Sequence, residues 1–207
     1  QNIAPSSEMP IQIELENLYE AQSLASVPSP FVMSFVAWLS SMVGSVLLFL
    51  ATNQMPYLNR AYIRTVIPIM TMGLSSLALA LVVTFTTLQW EVFFMSWMVS
   101  WLIGICLSWF FLGVFATIGL FGLLVILPIV FYQSALSGTM IPLTAAPDWL
   151  EFIGSMVPFD SIGSTYRSVI FGSNGSIPFL WLGSAAIIGL FLSWVSDILR
   201  VRMKRRW

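Results

Sequence analysis

The chemically most distinctive residues of this chain are Arg167 and two acidic residues that precede it, Asp160 and Glu151. Asp160 lies seven positions before Arg167, a spacing that places both residues on one face of a helix. A guanidinium group binds carboxylates and phosphates through two parallel hydrogen bonds. We therefore expect these three residues either to form an ion pair that holds their segment together, or to contact a lipid phosphate or a translocated substrate.

Other patterns in the chain carry little chemistry. Histidine is absent and Cys106 is the only cysteine, so the usual metal ligand and the usual general base at neutral pH are missing. The turn at 172–175 lacks the lysine of a phosphate-binding loop, and Asn174 begins a glycosylation sequon close to the membrane. We expect no enzyme activity, no metal, no cofactor and no nucleic-acid partner.

Long uncharged stretches must hold these residues in place. The sequence is 58% hydrophobic and only 8% charged, a composition that indicates an integral membrane protein. A bilayer core of about 30 Å needs about 20 apolar residues as a helix, and the uncharged stretches supply five such segments. We predict an all-α integral membrane fold with five transmembrane helices, at about 31–52, 65–87, 91–110, 114–133 and 177–198. The turn between the third and fourth helices is placed near 108–113.

The basic residues predict the orientation of this bundle, because Lys and Arg are retained on the cytoplasmic side of a membrane. Seven of the eight lie in two places, the loop after helix one and the C-terminal tail. With five crossings both places face the cytoplasm, and the N-terminal segment of this multi-pass plasma-membrane protein lies outside. The residues are Arg60 and Arg64 in the loop, then Arg200, Arg202, Lys204, Arg205 and Arg206, which form a cytoplasmic anchor.

The two ends of the chain differ from its middle. Residues 1–30 read as the end of an external domain and its linker, because IQIELEN alternates like a half-buried strand and is followed by SLASVPSP. Residues 31–199 form the transmembrane domain, and residues 200–207 form the basic tail. Since the chain starts with neither an initiator Met nor a signal-peptide pattern, we expect a C-terminal fragment of a longer protein.

The stretch from 134 to 176 is too polar, and too often interrupted by Gly and Pro, for a spanning helix. Two short amphipathic helices fit it instead. The first starts at Pro147, with acidic residues in its first turn, and the second is capped by Asp160 and ends at Gly172. We predict an amphipathic helical hairpin at about 147–172, lying at the outer leaflet.

Two further features predict contacts with other helices or proteins. Helix one carries small residues four apart, and this spacing allows another helix to approach closely; the candidates are Ser41, Gly44 and Ser45. The loop at 53–64 is the candidate cytoplasmic surface for coupling to a separate ATPase, through Pro56, Arg60 and Arg64.

The segment PFDSIGSTYRSVIFG, followed by a last helix and a basic tail, resembles the C-terminal part of ABC-2-type permeases. More narrowly, the external exit segment, then SPFVMSFVAWLSSMVGSVLLF and four further helices resemble the YhgE/Pip group. This group includes phage infection proteins and the EsaA/YueB-type accessory proteins of type VII secretion. The resemblance covers nearly all of the chain, and implies that an N-terminal helix and a large external domain precede these five helices.

The resemblance also implies a function. We expect the C-terminal transmembrane module of a YhgE/Pip-like protein that serves protein export as an accessory subunit, in a system like type VII secretion. Its expected partners are the lipid bilayer, a second copy of the chain and secretion-system subunits. Two alternatives stay open: an ABC-2-type transport permease that works with a separate ATPase, and a phage-receptor membrane anchor.

Overall fold

The computed structural model describes residues 29–136, 159–172 and 178–204, and every regular element in these ranges is helical. Two 3-10 turns, Trp90–Val92 and Gly119–Phe121, precede the third and fourth helices. The α-helices are α1 (Ser29–Thr52), α2 (Tyr57–Thr87), α3 (Phe93–Ile118), α4 (Gly122–Leu136), α5 (Phe159–Phe171) and α6 (Phe179–Lys204). The prediction of an all-helical chain is confirmed for these residues. Residues 1–28 and the first half of the predicted hairpin lie outside the described residues.

Four helical stretches within the described ranges are long and apolar enough to cross a membrane. They are Ser29–Thr52, Tyr57–Thr87, Trp90–Ile129 and Phe179–Arg200. The third is 40 residues long, about 60 Å if it were one straight helix, or twice the thickness of a bilayer core. A chain reversal inside this stretch resolves the excess length.

The reversal lies at Gly119–Phe121. Gly119 has a φ of 66°, a left-handed conformation that only glycine adopts without strain. A Cβ placed on Gly122 would come within 3.0 Å of Val114 Cγ1, although eight residues of straight helix would separate the two positions by about 12 Å. Since α4 also contacts α1 and α5, it folds back beside α3.

The predicted turn at 108–113 is therefore wrong. Residues 108–113 are helical and belong to α3, where Trp109 and Phe110 are half-buried and the other four residues are buried. Gly113 lies at a helix crossing and not in a turn. A Cβ on Gly113 would overlap the carbonyl oxygen of Gly189 in α6, and one on Gly189 would overlap the carbonyl oxygen of Trp109. The two helices thus touch backbone to backbone, as small residues allow in membranes.

α3 is the central helix, packed against α1, α2 and α6. Four of its fully buried side chains follow one another at intervals of four, namely Ile103, Leu107, Phe111 and Phe115. Phe111 meets Trp38 of α1 edge to face, with 5.3 Å between ring centroids, a favourable aromatic geometry.

The two ends of the bundle differ in their side chains. The arginine end contains the C-terminus of α1, the N-terminus of α2 and the last turns of α6, where Arg64 meets Asp197. The α5 end contains the start of α1 and α5, where Gly163 faces the Ser34 hydroxyl oxygen at 3.6 Å from its would-be Cβ. α5 buries Ile162, Tyr166 and Ile170 in the common core, so one face of this amphipathic helix packs into the bundle.

Candidate functional site: a buried arginine and aspartate cluster

Two arginines share one aspartate at the arginine end. Arg64 Nη1 donates to both carboxylate oxygens of Asp197, at 3.2 and 3.1 Å, and Arg60 Nη1 donates to Asp197 Oδ1 at 3.0 Å. The side chains of Arg64 and Asp197 are each only 1% exposed, and that of Arg60 is 11% exposed. Such a buried pair is strongly interdependent, because removing one partner leaves an uncompensated buried charge.

Four helix ends meet through this cluster. Arg64 Nε donates to Thr52 Oγ1 in the last turn of α1 at 2.9 Å, while Arg60 Nη2 donates to the carbonyls of Asn53 and Met55. Arg200 Nη2 donates to the Ala116 carbonyl of α3 at 2.7 Å. These bonds satisfy carbonyls that have no partner within their own helix ends, and they tie α1, α2, α3 and α6 together.

The cluster carries excess positive charge. Arg60 and Arg64 pair with the single carboxylate of Asp197, and Arg200 lies close enough to Arg64 for their charges to interact, so three positive charges lie near one negative charge. The ring of Phe49 lies 5.2 Å from the Arg64 guanidinium carbon and 5.9 Å from that of Arg200, close enough for cation–π attraction. Arg64 Nη2 and Arg60 Nε are buried without a hydrogen-bond partner in the described chain. The site therefore has spare donors for an anion.

A second polar feature lines the helix interfaces between the two ends. Ser41 and Ser45 of α1 donate to the carbonyls of Gly104 and Ser108 in α3, at 3.2 and 3.0 Å. Three indole N–H groups of α3 donate to carbonyls of α2, from Trp97 to Gly73, from Trp101 to Ile69 and from Trp109 to Thr65. These bonds hold α1 and α2 against the two sides of α3.

The structure brings some of the predicted site residues together and separates others. Ser41 and Ser45 pack on α3 of the same chain, and Gly44 faces Met72 of α2. Pro56 precedes α2, which begins at Tyr57 and not at about 65. Arg60 and Arg64 therefore belong to the first turns of a helix and point towards Asp197, so the predicted coupling loop shrinks to the short turn before Tyr57.

The other predicted residues have separate positions. Asp160 lies in the first turn of α5 and Arg167 near its middle, half-buried, whereas Glu151 lies outside the described residues. Arg202 and Lys204 belong to the last turns of α6, and Arg205 and Arg206 lie outside the described residues. The ion pair predicted for Glu151, Asp160 and Arg167 stays a prediction.

Sequence reasoning missed Asp197 as a site residue. The signal was present, because the predicted topology puts only Asp197, among the nine acidic residues, on the same side as the two basic clusters. Arg200, three residues after Asp197, was assigned only to the basic tail. The three indole bonds from α3 to α2 were missed as well, although Trp97 and Trp101 have the four-residue spacing of one helix face.

The four apolar spans and a charged cluster at one end define a helical, multi-pass membrane protein. No family model, no curated protein and no solved structure matches the chain.

Proposed function

We propose that this chain is the membrane-embedded module of a YhgE/Pip-like protein that serves protein export across the plasma membrane as an accessory subunit. In this proposal α4 is a fifth crossing, the arginine end faces the cytoplasm, and the N-terminal segment lies outside. The resemblance of α1 and of the segment through α5 carries the export assignment. The fold-back of α4 beside α3 supports the count of five.

The distribution of charge is the observation that favours an accessory module over an ion-coupled carrier. Among the side chains that the structure describes, the charged ones lie at the ends of the helices, in the arginine cluster, at Glu91 in the turn before α3, and at Arg167 in α5. Ion-coupled transport usually needs ionisable groups in the middle of the membrane. Here the middle of the bundle is filled by apolar side chains and by hydroxyl groups that bond across helices.

A pull-down of the full-length protein from its native membrane in mild detergent, followed by mass spectrometry, tests the proposal. We expect secretion-system subunits to be recovered with it. Replacement of all five helices by unrelated membrane helices is the matched variant, and it should lose these partners. If the chimera keeps both partners and export, the helices are only an anchor and the accessory role of this module is refuted.

A transport permease with a separate ATPase is the second candidate. Leu58 and Tyr62, in the first turns of α2, are 75% and 69% exposed beside the short turn at Pro56, and they form an apolar surface at the end assigned to the cytoplasm. Recovery of an ATPase that is lost in a Leu58→Ser, Tyr62→Ser double variant would favour this candidate. An Asn53→Ser variant in the adjacent turn is the control.

The proposal includes a homodimer, and its one remaining support is the resemblance to ABC-2-type permeases. The small-residue face of α1 was its second support, but Ser41 and Ser45 are buried against α3 within one chain. A contact between two copies must therefore use another surface. Crosslinking at exposed α6 positions such as Ile187 or Phe191 tests this surface directly.

A further inference from the structure

A lateral cleft separates α1 from α2 in the half of the bundle near the arginine end. It encloses about 300 Å³, at the lower limit of about 300 Å³ for small-molecule sites. Its walls are largely apolar and include Gly44, Leu48, Ala51, Pro68 and Met72. Leu47 on its rim is 63% exposed, so the cleft opens sideways, towards the acyl chains of the bilayer.

Small and ring-shaped residues explain why a cleft exists here. On the α1 wall, Gly44 and Ala51 have no side chain large enough to fill the space. A Cβ on Gly44 would meet only the terminal methyl group of Met72, at 3.2 Å. On the other wall Pro68 lies in the interior of α2, where its ring takes the place of a longer side chain. α1 and α2 are held against α3, by the serine bonds and by the tryptophan bonds respectively, so neither has to close onto the other.

The floor of the cleft presents an unpartnered hydroxyl group. Ser108 lines the cleft and is 1% exposed. Its carbonyl oxygen accepts a bond from Ser45, but its hydroxyl group has no hydrogen-bond partner in the described chain. A buried hydroxyl left without a partner is costly, so a ligand that brings an acceptor to this depth would be favoured.

The cleft ends next to the arginine cluster. Ala51 directly precedes Thr52, which accepts the bond from Arg64 Nε, and Pro68 follows Arg64 by one helical turn, about 5.4 Å. Three arginines against one aspartate attract an anion to this end, and an apolar chain below it fits the walls. Ser108 lies at the level of Ser45, which precedes Thr52 by seven residues. An acceptor about two helical turns below the cluster, roughly 10 Å, would therefore meet the Ser108 hydroxyl group.

We propose that this cleft binds one acyl chain of an anionic membrane phospholipid. The headgroup phosphate lies at the arginine cluster, an ester carbonyl accepts the Ser108 hydroxyl proton in a hydrogen bond, and the chain runs between α1 and α2. This inference does not depend on the export role, because it uses only the cleft, the cluster and the bilayer around them.

Native mass spectrometry of the purified protein tests the inference. The protein is incubated with phosphatidylglycerol or with phosphatidylcholine of the same chains, and retained lipid is counted. We expect one phosphatidylglycerol per chain, retained about tenfold better than phosphatidylcholine, since each basic residue adds to the attraction of an anionic lipid. Ala51→Phe fills the cleft and should abolish retention, whereas Leu50→Phe, on an exposed position that does not line it, should not.

Three outcomes would overturn the inference. Equal retention by the wild type and Ala51→Phe would put the bound lipid elsewhere, and equal retention of both lipids would remove the headgroup contact. A mass of two chains without lipid, reduced to one chain by Ala51→Phe, would make the cleft an interface between copies. Leu47→Phe, at an exposed position on the same wall, provides the same comparison if Ala51→Phe does not fold.

Discussion

The crossing of α3 and α6 gives the sharpest stability prediction. At Gly189 a Cβ would overlap the Trp109 carbonyl oxygen and lie 2.5 Å from Phe110 Cα, although carbon atoms in contact prefer about 3.5–4.0 Å. Gly189→Ala must therefore push the helices apart by roughly 1 Å. Both obstacles are backbone atoms, so no side chain can move aside to relieve the overlap.

The expected net cost follows from two opposing effects. Overpacking typically costs about 1–3 kcal/mol, and rigid backbone obstacles place this site near the upper value. Ala gains about 0.5–1 kcal/mol over Gly in a helix. We expect Gly189→Ala to lower the free energy of unfolding by about 2 kcal/mol, or roughly 30-fold in the unfolding equilibrium constant.

Reversible unfolding in mixed detergent and SDS micelles, followed by tryptophan fluorescence, measures this change. Gly183→Ala is the matched control, because it lies in the same helix and its Cβ would meet nothing within 4 Å. It should leave stability unchanged or raise it by about 0.5–1 kcal/mol. Equal stability of the two variants would refute the backbone contact between α3 and α6.

Three further predictions use the same unfolding assay. Asp197→Asn leaves Arg60 and Arg64 buried without a carboxylate and should cost about 3–5 kcal/mol, whereas Glu91→Gln, on an exposed residue, should cost almost nothing; a cost below about 1 kcal/mol for Asp197→Asn would contradict the cluster. Trp101→Phe loses the indole bond to the Ile69 carbonyl and should cost about 0.6 kcal/mol beyond its packing loss, an excess that is absent for exposed Trp90→Phe. Burial raises the pKa of Tyr166, an effect that the Ser100 side chain partly offsets. The folded-state pKa therefore lies above the unfolded value of about 10. The stability that comes from burying the neutral phenol is complete below about pH 10 and is lost as the pH rises further. Tyr166→Phe should therefore flatten the loss of stability above about pH 10, and an unchanged slope would count against burial of the phenol.

The spacing of charges was sufficient to predict the class of the fold. Uncharged stretches of about 20 residues have few alternatives to a membrane helix, and the structure has four helical stretches that are long and apolar enough to cross a membrane. The position of the break between α3 and α4 was not predictable in the same way. Gly113 and Gly119 look alike in a sequence, but Gly113 serves a helix contact, whereas Gly119 adopts a positive φ.

The arginine cluster shows why the candidate site was only half predicted. The positive-inside rule predicted a cytoplasmic position for Arg60 and Arg64, but this rule treats a basic residue as solvated and says nothing about partners. Their pairing with Asp197 joins positions more than 130 residues apart. They meet because α2 packs beside α6, and both of these helices also pack against α3.

The lateral cleft could not be predicted from the sequence. Its residues are ordinary for a membrane helix, and a cleft appears only because α1 and α2 each bond to α3. The unpartnered hydroxyl of Ser108 likewise depends on which helix faces it.

Cysteine accessibility directly tests whether the module crosses the membrane five times with its arginine end in the cytoplasm. In a Cys106→Ser background, a membrane-impermeant maleimide is applied to intact and to permeabilised cells that carry Asn53→Cys, Glu91→Cys, Leu120→Cys or Ala145→Cys. We predict that Glu91→Cys and Ala145→Cys react in intact cells, and that Asn53→Cys and Leu120→Cys react only after permeabilisation. Reaction of Leu120→Cys and Ala145→Cys from the same side would contradict a fifth crossing by α4.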